Sequence, residues 1–284
     1  MMVKEYFIDN IVIRHAIDEM PDDANFRMHL HERCEIYFLV SGNVEYLVEG
    51  SKYPLDEKNL MIMRPAETHK PKIVGEKRYE RYAINFPISF ANSIDPEGSL
   101  VKTFTERELG RNNRFTDSEM DMVLVEKLFY EMFATDDEYQ RRITVKTHLL
   151  MLLDMISRTF SARENPKQKP NNYERIVVYV NNHLFEEISI PRLANHFYLS
   201  PSQFNRVFKQ ATGAAPWDYI TKKRLTAAKE KIHNGVSAQT ASQTCGFKDY
   251  SAFYRAYTKY FGSSPTNDNK KSLDFSRLGA SDVT

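Results

Sequence analysis

The chain has 284 residues, 42% of them apolar and 27% charged, which is ordinary for a globular protein and enough to build a core in each of two domains. The net charge of +1 conceals a split: residues 1–170 carry 24 Lys and Arg against 29 Asp and Glu, whereas residues 171–284 carry 15 against 9. A basic rear half points to a polyanionic partner. Two distant cysteines, Cys34 and Cys245, exclude a disulfide framework, and no apolar run approaches membrane length. A cytoplasmic protein with no membrane partner is expected.

In chain order, β-branched and aromatic runs come first: Ile36–Val40, Val44–Val48, Leu60–Met63 and Tyr82–Phe86, punctuated by Ser41-Gly42-Asn43 and Glu49-Gly50-Ser51. They predict an antiparallel meander that must close or stack to protect its edges. Residues 87–116 look irregular. Two helical patterns follow at about 118–134 and 138–161, with apolar stripes Met122/Val125/Phe129/Met132 and Val145/Leu149/Leu152/Leu153/Ile156. These stripes offer more apolar surface than one packing contact needs, so Met122, Val125, Phe129, Met132, Leu149, Leu152 and Ile156 are expected to hold a homodimer, packing against the sheet being the competing reading. The polar, proline-containing stretch 163–172 is a linker, and it coincides with the change of charge.

Beyond it the patterns are helical and repeat. Superposing Ser202–Pro216 on Ser251–Pro265 pairs Ser202 with Ser251, Phe204 with Phe253, Arg206 with Arg255, Gly213 with Gly262 and Pro216 with Pro265. Phe204, Val207, Phe208 and Ala211 form the inward stripe of the first copy; Phe253, Ala256, Tyr257 and Tyr260 form that of the second. Ser200, Pro201 and Gln203 supply a helix start with a capping box, and each glycine supplies a left-handed cap. With a short helix before each copy, at 190–197 and 238–244, this predicts two helix-turn-helix motifs joined by one helix from Pro216 to Ile232.

The stretch Leu199-Ser200-Pro201-x-x-Phe204-x-Arg206-x-Phe208-Lys209, with Gly213, Pro216, Tyr219-Ile220 and Arg224, followed by Gly246-Phe247-x-Asp249-x-Ser251-x-Phe253-x-Arg255-x-Tyr257 and Phe261-Gly262-x-Ser264-Pro265, resembles the AraC/XylS family of transcription regulators. The resemblance covers residues 173–267. It implies a seven-helix domain whose two recognition helices enter successive major grooves of double-stranded DNA. Its base-facing positions fall on Ser202, Asn205 and Arg206 in the first motif and on Tyr250, Ser251, Tyr254 and Arg255 in the second, with Gln203 and Lys209 as phosphate contacts. The sequence departs from the family in Ala238–Gln243, which lacks bulky aliphatics, and in Thr266-Asn267, which replaces an aromatic-Arg pair.

In the front half, His29-x-His31-x-x-x-Glu35 with Gly42 has the spacing of the first cupin motif, and His69, four residues after Pro65, stands where the second motif's histidine is expected. Here too there are departures: Lys58-Asn59 and Glu67-Thr68 replace the second motif's glycine positions. Three readings of His29, His31, Glu35 and His69 stay open: ligands of a divalent metal, polar groups of an effector pocket, or structural side chains. No motif requires a cofactor.

The expected architecture is therefore a cupin-like or jelly-roll-like β-barrel sensor (1–116), a helical pair (117–162), a linker (163–172), an all-α double helix-turn-helix domain (173–267) and a disordered tail (268–284). The expected function is that of a one-component transcription regulator sensing a sugar or other small metabolite, an activator partnered by RNA polymerase, and not an enzyme. A metal-dependent cupin enzyme fused to a DNA-binding domain is the alternative, disfavoured because no phosphate cradle or nucleophile motif accompanies the histidines.

Overall fold

The computed structural model describes residues 1–163 and 172–268, which fall into two compact units, 1–170 and 171–284. The proposed linker and tail lie outside the described residues except for Arg163, Asn172 and Asp268.

The first unit runs through β1 (Met2–Ile8), β2 (Ile11–Asp18), β3 (Cys34–Ser41), β4 (Val44–Val48), β5 (Ser51–Leu55), β6 (Leu60–Met63), β7 (His69–Ile73) and β8 (Tyr79–Phe86). Two short helices, α1 (Ile88–Asn92) and α2 (Lys102–Thr105), and the two-residue β9 (Arg114–Phe115) lead to the long pair α3 (Met122–Phe133) and α4 (Glu138–Ala162). All strand pairs are antiparallel. They form two sheets, ordered β1-β2-β8-β3-β6-β9 and β5-β4-β7.

The barrel expected from the sequence is thus a two-sheet sandwich, with no ladder closing the two sheets into one among the described residues. An isolated bridge between His29 and His69 attaches the segment before β3 to the smaller sheet. Pro54 and Pro71 explain why β5 and β7 do not read as strands: both strands are sheet edges, where a missing N–H is tolerated.

The central strand β3 is apolar on both faces, which hides its alternation. Cys34, Ile36 and Phe38 join Ile62, Ile84 and Phe86 in a core under the helices, while Tyr37 and Leu39 face Val44, Tyr46 and Val48 of the smaller sheet. Asp121 and Asp137 cap α3 and α4 by accepting from backbone amides of the first turn.

The structure corrects the expected dimer contacts. Met122, Val125, Phe129, Met132, Leu149, Leu152 and Ile156 are all 3% exposed or less and pack into the core under the larger sheet. A six-stranded sheet with an apolar outer face is broad enough to cover both helical stripes, so these residues present nothing to a second copy.

The second unit contains α5 (Asn172–Asn182), α6 (Ile190–His196), α7 (Pro201–Thr212), α8 (Pro216–His233), α9 (Ala238–Thr244) and α10 (Tyr250–Phe261), with a further helical segment at 265–268. Ser200 caps α7 in a reciprocal box with Gln203, and Gly213 and Gly262 end α7 and α10 in the left-handed conformation. Phe204, Phe208 and Ala211 are buried, as are Phe253 and Tyr257, whereas Val207, Ala256 and Tyr260 are only half-buried. The small residues of α9 have a packing role: Ala238, Ala241 and Ser242 are buried, and the two alanines pack with Leu225, Ala228, Phe253 and Tyr257.

Arg224 of α8 ties this unit together. Its Nε donates to the Leu184 carbonyl at 2.7 Å, Nη2 to the Glu186 carbonyl at 2.7 Å and Nη1 to the Gly246 carbonyl at 2.6 Å. One guanidinium thereby holds the chain entering the first motif and the turn of the second.

Candidate functional site

In the first unit the four residues singled out by spacing come together. One ligand-type atom from each of His29, His31, Glu35 and His69 lies within 4.8 Å of the others, with His29 exposed, His31 half-buried and Glu35 and His69 buried. Glu35 is carried by β3 and His69 by β7, so the cluster spans the two sheets. His31 Nε2 lies 2.7 Å from Glu35 Oε2 and His69 Nε2 lies 3.4 Å from the same oxygen.

The second nitrogen of each ring fixes its tautomer. Nδ1 of His29 meets the Arg27 carbonyl at 3.0 Å, Nδ1 of His31 the Arg33 carbonyl at 2.8 Å, and Nδ1 of His69 the Glu67 carbonyl at 2.7 Å. A carbonyl only accepts, so all three Nδ1 atoms donate to it and Nε2 is the nitrogen that each ring turns to the cluster. His69 Nε2 is buried without a hydrogen-bond partner. Desolvation, with His69 alongside, holds His29 down to about 4, leaving it neutral at pH 7. Burial would raise the Glu35 carboxyl, but the hydrogen bond to His31 and the His69 ring beside it keep it well below the usual carboxylate range. Three imidazoles converging with a carboxylate are a donor set that fits a divalent cation, which would take the place of the protons now shared with Glu35.

A second buried constellation, which the sequence reading missed, supports the first. Glu67 and Arg107 are both fully buried and form a bidentate ion pair: Arg107 Nη1 donates to Oε1 at 2.7 Å and Nη2 to Oε2. The Gly110 and Arg64 amides donate to the same carboxylate at 2.8 and 3.1 Å, and Asn113 Nδ2 does so at 3.1 Å. Burial alone would raise this carboxyl; the charge and hydrogen bonds of Arg107 hold it down to about 2. The departure from the second cupin motif at Glu67 is thus a clasp that binds loop 106–113 to the turn preceding β7.

Between the sheets runs a row of aromatic side chains that the sequence reading also left unassigned. The Tyr46 ring lies 6.2 Å from that of His69, in nearly parallel planes, and 4.8 Å from that of Tyr37. The hydroxyls of Tyr37 and Tyr79 are 2.9 Å apart, and Arg81 Cζ sits 4.2 Å from the Tyr79 ring centroid and 5.2 Å from that of Phe26. Burial pushes the phenols of Tyr37 and Tyr46 well up and that of Tyr79 to about 12. Cys34 points away from this space into the helix-side core, and burial raises its thiol as well.

In the second unit, Ser202, Gln203, Asn205, Arg206 and Lys209 are all exposed on α7, opposite buried Phe204 and Phe208. Two of them are partly engaged: Gln203 Oε1 accepts from the Ser200 amide and Asn205 Nδ2 donates to the Pro201 carbonyl at 2.9 Å. Arg206 has no ion-pair partner among the described residues. On α10, Tyr250, Ser251, Tyr254 and Arg255 are exposed opposite Phe253 and Tyr257. Each motif therefore presents one polar helix face on an apolar support, the geometry of a major-groove reader.

Residues 14–153 match the family of AraC-like ligand binding domains, and residues 193–271 match a family of helix-turn-helix domains. The HTH-type transcriptional activator RhaS of Escherichia coli is 22% identical over 252 residues, covering 88% of this chain and 90% of RhaS. The probable transcriptional regulator LumQ of Photobacterium leiognathi is 33% identical over 113 residues, a match spanning 39% of this chain and 46% of LumQ. Among solved structures, ToxT from Vibrio cholerae O395 aligns over 93% of this chain and 97% of its own at 9% identity, with a TM-score of 0.38. No helix of the described residues is long and apolar enough to cross a membrane. With a ligand-binding unit in front and a paired helix-turn-helix unit behind, the chain belongs to the AraC family of transcription regulators.

Proposed function

We propose that this protein is a one-component, cytoplasmic transcription activator in which a small-molecule effector, taken up between the two sheets of the first unit, governs how the second unit engages duplex DNA. The observation that carries this reading is the duplicated polar face. Arg206 with Ser202 and Asn205, and Arg255 with Tyr250, Ser251 and Tyr254, stand at equivalent exposed positions of α7 and α10. Arg suits guanine O6 and N7, Asn suits adenine, and Gln203 and Lys209 suit phosphates. Activation is supported by the name of the RhaS relative, a transcriptional activator, and an activator would have RNA polymerase as its partner.

His29, His31, Glu35 and His69 would hold a divalent metal. There it would supply an electrophilic anchor for an oxygen of the effector, while the carbonyls of Arg27, Arg33 and Glu67 orient the three imidazoles. Two copies would pair through the outer faces of α3 and α4, where Val123, Tyr130, Ile143 and Met151 are exposed.

The test is footprinting of full-length protein on the DNA it protects in cells, followed by transcription from that template with and without effector-containing extract. The reading requires protection of two adjacent major-groove segments that is weakened in Arg206→Ala. Protein that folds but protects no DNA at low salt overturns it.

A further inference from the structure

We infer that the effector is a small hydroxylated carboxylate, such as a sugar acid, whose carboxylate is bound by Arg81. The inference rests on the sensing role proposed above and adds the chemical class of the ligand.

Arg81 is carried by β8 on the face that also bears Tyr79, toward the smaller sheet. Its guanidinium is packed over the rings of Tyr79 and Phe26, and its Nη1 is buried with no hydrogen-bond partner. Its Nη2 reaches only the Met1 thioether, at 3.9 Å. No carboxylate stands within ion-pair distance of Arg81 among the described residues: Glu80, its neighbour on the opposite face, pairs with His15 and Arg78, and Glu35 is engaged by His31 and His69. A guanidinium placed so, with an N–H unmet and its charge unanswered, is costly unless something supplies acceptors. A carboxylate supplies two in the geometry of the guanidinium fork. Arg81 as a whole is only half-buried.

The side chains that follow Arg81 between the sheets describe the other end of the ligand. From Arg81 the row passes through Tyr79, Tyr37 and Tyr46 to His69. The Tyr37–Tyr79 pair uses one of its two hydroxyl protons, leaving the other to donate, and the Tyr46 hydroxyl has no partner among the described residues. Ring faces interspersed with phenol hydroxyls, ending at a histidine–carboxylate cluster, suit a chain of C–H and O–H groups. They do not suit a purely apolar tail, which would leave those phenols unmet.

The experiment is a thermal-shift comparison on the full chain with gluconate and galacturonate against their uncharged counterparts sorbitol and galactose, each at millimolar concentration. The acids are expected to raise the melting temperature by about 2–4 °C and the neutral compounds not to. Arg81→Met removes that rise and Arg81→Lys retains part of it, with DNA binding intact in both. Equal shifts from the neutral compounds, no shift from either acid, or an undiminished shift in a folded Arg81→Met overturns the inference. Should Arg81→Met not fold, the wild-type comparison decides alone. DNA protection by the wild-type protein is measured in parallel, so loss of the regulator reading is distinguished from loss of the carboxylate.

Discussion

Glu67 and Arg107, forty residues apart and with no exposed side-chain surface, form an ion pair, and the backbone carbonyl of the same Glu67 orients the His69 ring. Side chain and main chain of one residue thus connect the fold of loop 106–113 to the geometry of the histidine cluster. Removing one partner of such a pair leaves a buried charge unanswered. Glu67→Gln is expected to cost about 3–5 kcal/mol in the first unit. Urea unfolding separates this from an effect on the second unit, because the single tryptophan, Trp217, lies in α8. The circular-dichroism transition should move to lower urea while that of Trp217 fluorescence stays in place; coincident, unshifted transitions would refute the clasp.

Metal binding is expected at one equivalent per chain, with cobalt giving visible absorption of an imidazole-containing site. His31→Ala should abolish that absorption. Arg107→Met, which touches no ligand directly, should weaken cation affinity about 10–100-fold through the loosened Glu67 carbonyl. Cobalt binding unchanged in folded His31→Ala would exclude the cluster as the site.

How much of this was legible depended on sequence distance. The helix-turn-helix motifs are written in neighbouring residues: Ser200, Pro201 and Gln203 mark a start, Gly213 marks an end, and the phenylalanines between mark the inward face. His29, His31 and Glu35 were likewise visible through close spacing. Arg107 was not, because its meaning depends on Glu67 across two strands, and Arg81 was not, because nothing local separates a cation facing another sheet from one facing water. The α3 and α4 stripes were read correctly as apolar faces but assigned the wrong neighbour, since periodicity reports that a face is covered and not by what.

Two glycines of the second unit offer a graded test. Gly235 and Gly246 have similar left-handed φ values of 85° and 83°, but a Cβ on Gly235 would meet nothing within 4 Å, whereas one on Gly246 would lie 2.8 Å from Arg224 Cζ and 2.9 Å from the Phe185 carbonyl oxygen. Gly235→Ala should therefore cost about 1–2 kcal/mol from backbone conformation alone. Gly246→Ala should add about 1–3 kcal/mol from overpacking. Equal midpoints for the two variants by Trp217 fluorescence would contradict the close approach.

Arg206→Ala is expected to weaken specific DNA binding by about 1–3 kcal/mol and to relax preference at a single base pair. Arg255→Ala should matter less, in keeping with the departures from the family pattern that surround the second motif. Binding-site selection with each variant measures this, and a larger specificity loss for Arg255→Ala would reverse the ranking.

The three carbonyls held by Arg224 also bear on how the operator can be written. With Leu184, Glu186 and Gly246 fixed to one guanidinium, the two reading helices cannot swing apart to follow a displaced target. Their targets must then keep step with the double helix, one turn or about 10–10.5 base pairs from centre to centre. An insertion of half a turn between them rotates the second target to the far side of the duplex, out of reach of a protein built without a hinge at that point.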